Sequence, residues 1–134
     1  MQTRRNVDHH LDRIESRLSG IDAMKPENPA SFKNPQAKES AASHVGALIE
    51  SVKAISLHIL RDFKEVMSPE SIFADLKRIR LLPENFSDEG DAVIARSPKI
   101  PTMSPAELSA YMVKVREIFT NYVRYIGKYA QTLP

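Results

Sequence analysis

The feature that most constrains this chain is the run from Ser104 to Gln131. Apolar residues recur there at Leu108, Tyr111, Met112, Val115, Ile118, Phe119, Tyr122, Ile126 and Tyr129. Steps of three and four place them on one stripe of an α-helix. Ser104 can cap the first free amides, Pro105 suits the first helical position, and Glu107 completes a capping box. A helix with a defined start and a single apolar face needs neighbours to cover that face. The chain is therefore built by packing helices on one another.

With 134 residues, one helical-bundle domain spanning residues 1–134 is expected, large enough for a real core. Lys+Arg 19 against Asp+Glu 17 gives a net charge of only +2, whereas a dedicated nucleic-acid binder usually carries a larger or more segregated positive charge. The absence of cysteine removes disulfides, thiolate metal sites and a cysteine nucleophile, and fits a reducing compartment. The segment from Met1 to His10 has no apolar core of the secretory type, and no apolar run reaches the length of a membrane span. A cytoplasmic protein without membrane attachment is expected.

Three more helices are predicted. The first runs from about Val7 to Ala23, with Val7, Leu11, Ile14, Leu18 and Ile21 forming the narrow seam of a coiled coil. Such a helix packs in its own bundle or pairs with another chain; the seam is short for an independent coiled coil, which favours the bundle. Residues 25–36 hold Pro26, Pro29 and Pro35 and read as an extended loop, with Phe32 as its anchor. The second helix, residues 36–66, carries Val45, Leu48, Ile49, Val52, Ile55, Ile59, Phe63 and Val66 on one stripe. Leu57, Leu60 and several alanines widen that stripe, so the helix should be central, and Gly46 suggests a close helix approach. Ser68-Pro69-Glu70 opens a third helix to Leu81, with Ile72, Phe73, Leu76 and Ile79 buried. Residues 84–103 read as irregular, with a helical turn or two from Asp88 to Ala95 and an extended Ser97–Pro101. The fold class is all-α, a bundle of helices at about 7–23, 36–66, 69–81 and 105–131.

Signals for chemistry are sparse. His9 and His10 are adjacent and point about 100° apart on a helix. His58 and Asp62 can share a helix face, but two ligands make no metal site, so neither metal nor cofactor is expected. The four glycines form no phosphate loop, and no Gly-x-Ser-x-Gly elbow occurs. Glu84, Asp88, Glu89 and Asp91 read as a solvated acidic loop. Candidate nucleic-acid contacts are Lys77, Arg78 and Arg80, and on the last helix Arg124, Tyr125 and Lys128. Tyr111, Tyr122 and Tyr129 fall on the core stripe, which leaves Tyr125 to face out.

A long Ala-rich helix (Glu39 to Val66) leads through Ser68-Pro69-Glu70-Ser71-Ile72-Phe73 into Leu81-Leu82-Pro83-Glu84-Asn85-Phe86, and the last helix starts at Ser104-Pro105-Ala106-Glu107. This order resembles the HEPN superfamily, in its toxin-like branch paired with minimal nucleotidyltransferases, over roughly residues 7–131. The resemblance implies a dimer whose cleft unites two Arg-polar-x-His motifs to cleave RNA without metal, as in toxin–antitoxin or defence systems. At the matching place Arg96 and Ser97 are present, but Pro101 stands where the histidine belongs, so a non-catalytic relative is implied. Arg5-Asn6-Val7-Asp8-His9-His10 matches the pattern literally, but at the start of the first helix.

Together these readings predict a non-enzymatic protein–protein interaction module, a homodimer or a subunit of a larger assembly. Its contact is expected on Leu11, Ile14 and Leu18. The alternative is a HEPN-like RNA-binding protein or metal-independent ribonuclease using Arg5 and His10, or Arg96.

Overall fold

The computed structural model describes residues 2–62, 73, 76, 77, 80–83 and 86–133. Among the described residues, the helices with both ends in view are α1 (Gln2–Ala23), α2 (Pro35–Asp62), α3 (Phe86–Arg96) and α4 (Pro105–Ala130), with 3-10 turns at Pro29–Phe32 and Ser97–Thr102. Among the described residues there is no strand, in agreement with the all-α class. The predicted helix over 69–81 lies outside the described residues except at Phe73, Leu76, Lys77, Arg80 and Leu81. Phe63, Val66, Ile72, Arg78, Ile79 and Glu84 lie outside them altogether.

Local chemistry sets the helix starts. In α4 the Ser104 hydroxyl accepts from the Glu107 amide at 3.1 Å and the Glu107 carboxylate accepts from the Ser104 amide at 3.1 Å, the capping box read from the sequence. In α2 the Asn34 side chain accepts from the Ala37 amide at 2.7 Å, and Pro35 takes the first position. Helix α1 begins earlier than the predicted Val7, because its first turn is tied down by tertiary bonds. Thr3 donates to Asp62 at 3.0 Å and Arg4 to the Leu133 carbonyl at 3.1 Å.

The predicted irregular segment is ordered differently. Phe86, Gly90 and Val93 share a buried face, Asp88 and Glu89 sit in the first turn and Arg96 in the last, so the macrodipole is matched at both ends of α3. The predicted extended Ser97–Pro101 is a 3-10 turn instead. Proline's fixed φ suits it, the Ser97 hydroxyl bonds the Ile94 carbonyl at 2.8 Å, and Ile100 is buried. Likewise Pro29–Phe32 is helical inside the predicted loop, with Phe32 fully buried as its anchor. Ahead of α3, Arg80 has φ 66°, its amide bonds the Lys77 carbonyl at 2.9 Å, and the Leu81 amide bonds the Leu76 carbonyl at 2.9 Å. That pair of bonds is a Schellman helix ending with arginine where glycine is usual.

Helix α1 packs on both α2 and α4 and runs antiparallel to each. Its first turn meets Asp62 and Leu133, while near its end Arg17 lies 3.4 Å from His44 and Arg116 bonds Asp22 at 3.1 Å. The core joins Val7, Leu11, Ile14 and Ile21 of α1 to Val45, Leu48, Val52, Ile55 and Ile59 of α2 and the predicted stripe of α4. Each fully buried aliphatic side chain contributes about 1.5–3 kcal/mol. Phe73, Phe86 and Tyr122 form an aromatic cluster at one end, with centroids 5.3–6.2 Å apart. Two buried hydroxyls of α4 tie it to its neighbours: Ser109 donates to the Pro26 carbonyl of the loop after α1 at 2.5 Å and Tyr111 to the Val93 carbonyl of α3 at 2.6 Å. Leu57 does not widen the buried face of α2, since it is 39% exposed.

Close approach is not found at Gly46, where an added Cβ would meet no atom within 4 Å, but at Gly20, where it would lie 2.6 Å from the His44 ring, and at Gly90, where it would lie 2.5 Å from the Phe73 ring. Gly46→Ala should raise stability by up to about 1 kcal/mol through helix propensity. Gly90→Ala should lower it by about 1–3 kcal/mol, because a buried ring must move. Urea denaturation of the two variants checks the contrast.

Candidate functional site

The two flanks of α1 carry the polar side chains that the bundle brings together. On the α2 side stand Thr3, His10 and Arg17, seven residues apart and so on one edge of the helix. Thr3 bonds Asp62, the His10 ring stacks on the His58 ring with centroids 6.0 Å apart, and Arg17 approaches His44. His9 adds an edge contact to His10 at 5.2 Å. Thus His58 and Asp62, which the sequence offers as a pair on α2, each make a contact with α1. Among the described residues no three His, Asp or Glu side chains are grouped so as to hold a metal ion.

Burial and like charge act together on this edge. His10 is held below the ordinary imidazole value of 6.5, first by burial, then by His9, His58 and Arg13. His44 is held below it by burial and then by Arg17. Both rings therefore sit neutral near pH 7, packed against groups that repel a proton.

On the α4 side a groove of about 540 Å³ runs between the helices. Its α1 bank carries Arg4, Asp8, Asp12 and Glu15, its α4 bank Arg124, Lys128 and Gln131, and Leu11, Val123 and Gly127 also line it. Asp8 pairs with Arg4 of its own helix at 3.7 Å. Among the described residues Asp12, Glu15, Arg124 and Lys128 form no ion pair, on either bank or across. A Cβ added to Gly127 would meet nothing within 4 Å.

The contact stripe expected on α1 is spent elsewhere. Leu11 is 7% exposed, Ile14 is fully buried, and Leu18 is half-buried against the core. A seam this narrow has to serve α2 and α4 at once, so Ile14 is wholly taken up by the bundle while Leu11 also reaches the groove on the α4 side. The alternative catalytic residues do not converge within one chain. Arg5 is exposed, and five positions along the same helix His10 lies in the α2 contact. Arg96 stands 5.3 Å over the Tyr111 ring, near the start of α4. Arg4, beside Arg5, bonds Leu133 past the end of α4, so the two places lie about 30 Å apart at 1.5 Å per helical residue. Burial pushes the Tyr111 hydroxyl up to about 12, with Arg96 opposing.

The nucleic-acid candidates are dispersed. Lys77 is half-buried, Arg80 is exposed in the helix-ending turn, and Tyr125 is half-buried with its ring 6.2 Å from Phe86. Arg124 and Lys128 face carboxylates across the groove. Sequence reading missed that groove. The 4, 3 spacing of Asp8, Asp12 and Glu15 and the 4 spacing of Arg124 and Lys128 mark single charged edges, but nothing in the sequence sets one edge against the other.

The chain was compared with protein-family models, curated proteins and solved structures, and none of the three gave a match. No described helix is long and apolar enough to cross a membrane.

A pH dependence follows from the histidine edge. Because His10 and His44 have folded values below 6.5, the unfolded chain binds more protons once the pH drops toward that value. Stability should be level above about pH 7 and fall between about pH 7 and pH 5. Urea midpoints across this range should decline for the wild type and decline less for His10→Gln with His44→Gln. Glu27 and Glu107, also held low, add losses only below their ordinary value of 4.5 and do not confuse the window.

Proposed function

We propose that this protein is a non-enzymatic helical interaction module, a subunit of an assembly, and that it meets its partner at the groove between α1 and α4. The observation that carries this reading is that Asp12 and Glu15 on one bank of the groove and Arg124 and Lys128 on the other are left without ion pairs among the described residues. Acids and bases that face each other without pairing leave both charge sets available to a partner that supplies the complement of each. Leu11 and Val123 give that partner a little apolar surface, and Gly127 leaves it room. Among the described residues Leu57 is the one exposed large hydrophobic side chain, so the contact is polar and salt-sensitive and not a buried apolar face. We also propose a cytoplasmic location, which the cysteine-free sequence supports.

Gly127→Arg tests the groove without endangering the fold, since the new side chain enters open space and a helical glycine is lost. In a native extract the wild type should elute well above its 15.1 kDa, and the variant should return to the monomer position with its melting temperature unchanged or higher. A wild type that elutes as a monomer in the extract would sink the reading.

A second reading, an RNA-directed HEPN-like protein, is favoured by the gathering of His58 and Arg13 about His9 and His10, the last two lying in the segment that matches Arg-Asn-x-x-x-His. Its expected signature is RNA affinity that falls steeply with salt, and cleavage lost in His10→Ala. A titration against fluorescent single-stranded RNA, with a gel of the same samples, decides it. Absent binding and intact RNA at low salt would end it.

A further inference from the structure

We infer that the groove's partner is a second copy of this chain, docked about a two-fold axis that runs along the groove so that α1 of each copy lies on α4 of the other. This rests on the interaction-module reading above and adds the identity and arrangement of the partner. The charges decide between the arrangements. Two copies placed face to face can be related by a two-fold axis along the groove or by one across it. An axis across the groove sets α1 on α1 and α4 on α4, which brings Asp12 and Glu15 against themselves and Arg124 and Lys128 against themselves. An axis along the groove exchanges the banks, so the acids of each α1 meet the cations of the other α4 twice over. That is the self-complementary patch an isologous dimer requires. Like charges brought together cost energy at every contact, so the second arrangement is selected.

The shape agrees. Antiparallel α1 and α4 form one layer, and two such layers stacked make a four-helix arrangement around Leu11, Val123 and Gly127. At Gly127 the absence of any atom within 4 Å of a built Cβ lets the other copy's helix come near. The unpaired acids Asp12 and Glu15 and the cations Arg124 and Lys128 span roughly 5 Å and 6 Å at 1.5 Å per residue, so the two sets overlap when the layers are in register. The apolar floor is thin, and charge pairing of this kind is screened by salt. The dimer should therefore weaken as ionic strength rises.

Charge reversal tests the arrangement, because these four side chains carry no pairing that the monomer fold needs. One variant combines Asp12→Lys with Glu15→Lys, the other Arg124→Glu with Lys128→Glu, and both should keep a cooperative urea transition with a midpoint close to that of the wild type. In sedimentation velocity on purified protein, the wild type should dimerise at low salt and each variant alone should be monomeric, with at least a tenfold loss of affinity. A mixture of the two should dimerise again, and so should a chain carrying all four reversals. A wild type monomeric in pure form overturns the second-copy inference, and one that still elutes large in native extract leaves the interaction-module reading standing. A dimer that both variants leave intact, or a mixture that stays monomeric, overturns the two-fold arrangement.

Discussion

The whole architecture depends on how a narrow apolar seam on α1 is shared between two neighbours. Val7, Leu11, Ile14 and Ile21 make a single line of buried side chains, yet the helix packs on both α2 and α4. One line cannot fill two interfaces, so the residues flanking the seam are drawn into both. Thr3, His10 and Arg17 enter the contact with α2, while Asp8, Asp12 and Glu15 border α4. A broader apolar stripe would have closed both contacts with aliphatic packing and left neither a histidine edge nor a charged groove.

The two flanks have different consequences because they differ in solvent access. On the α2 side the rings are partly withdrawn from water and lie near basic groups, so proton binding is linked to stability. On the α4 side the charged groups stand apart across an open groove, where they are solvated and free to find complements on another molecule. At the opposite end, Arg116 pairs with Asp22 at 3.1 Å and also with Glu27, fixing the end of α1 and the following loop to α4. The aromatic cluster and the Tyr111 hydroxyl hold α3 against α4. The groove is thus bounded by elements secured elsewhere, and its banks keep their spacing without pairing across it.

Much of this was legible in the sequence. The cap of α4 and its buried stripe were written in residue type and spacing, as were the proline start of α2 and the anchoring role of Phe32. These features depend on contacts within a few residues or on a one-sided apolar pattern. Helix α3 was obscured because it is short and Gly90 lowers its helix propensity. What carries it is the packing of Phe86 and Val93, together with the space Gly90 leaves for Phe73.

The sequence by itself determined that the chain forms amphipathic helices with defined starts, because capping and periodicity are local properties. Only the tertiary structure decided which polar edges meet. Leu11 and Ile14 read as bundle core or as a partner surface, with the short seam favouring the bundle, until packing on α2 and α4 is seen to bury them. His10 reads as a lone basic residue until antiparallel packing sets it on His58. The charges of Asp12, Glu15, Arg124 and Lys128 lie more than a hundred residues apart in the chain. They became two banks of one groove through the direction and pairing of helices, which periodicity leaves undetermined.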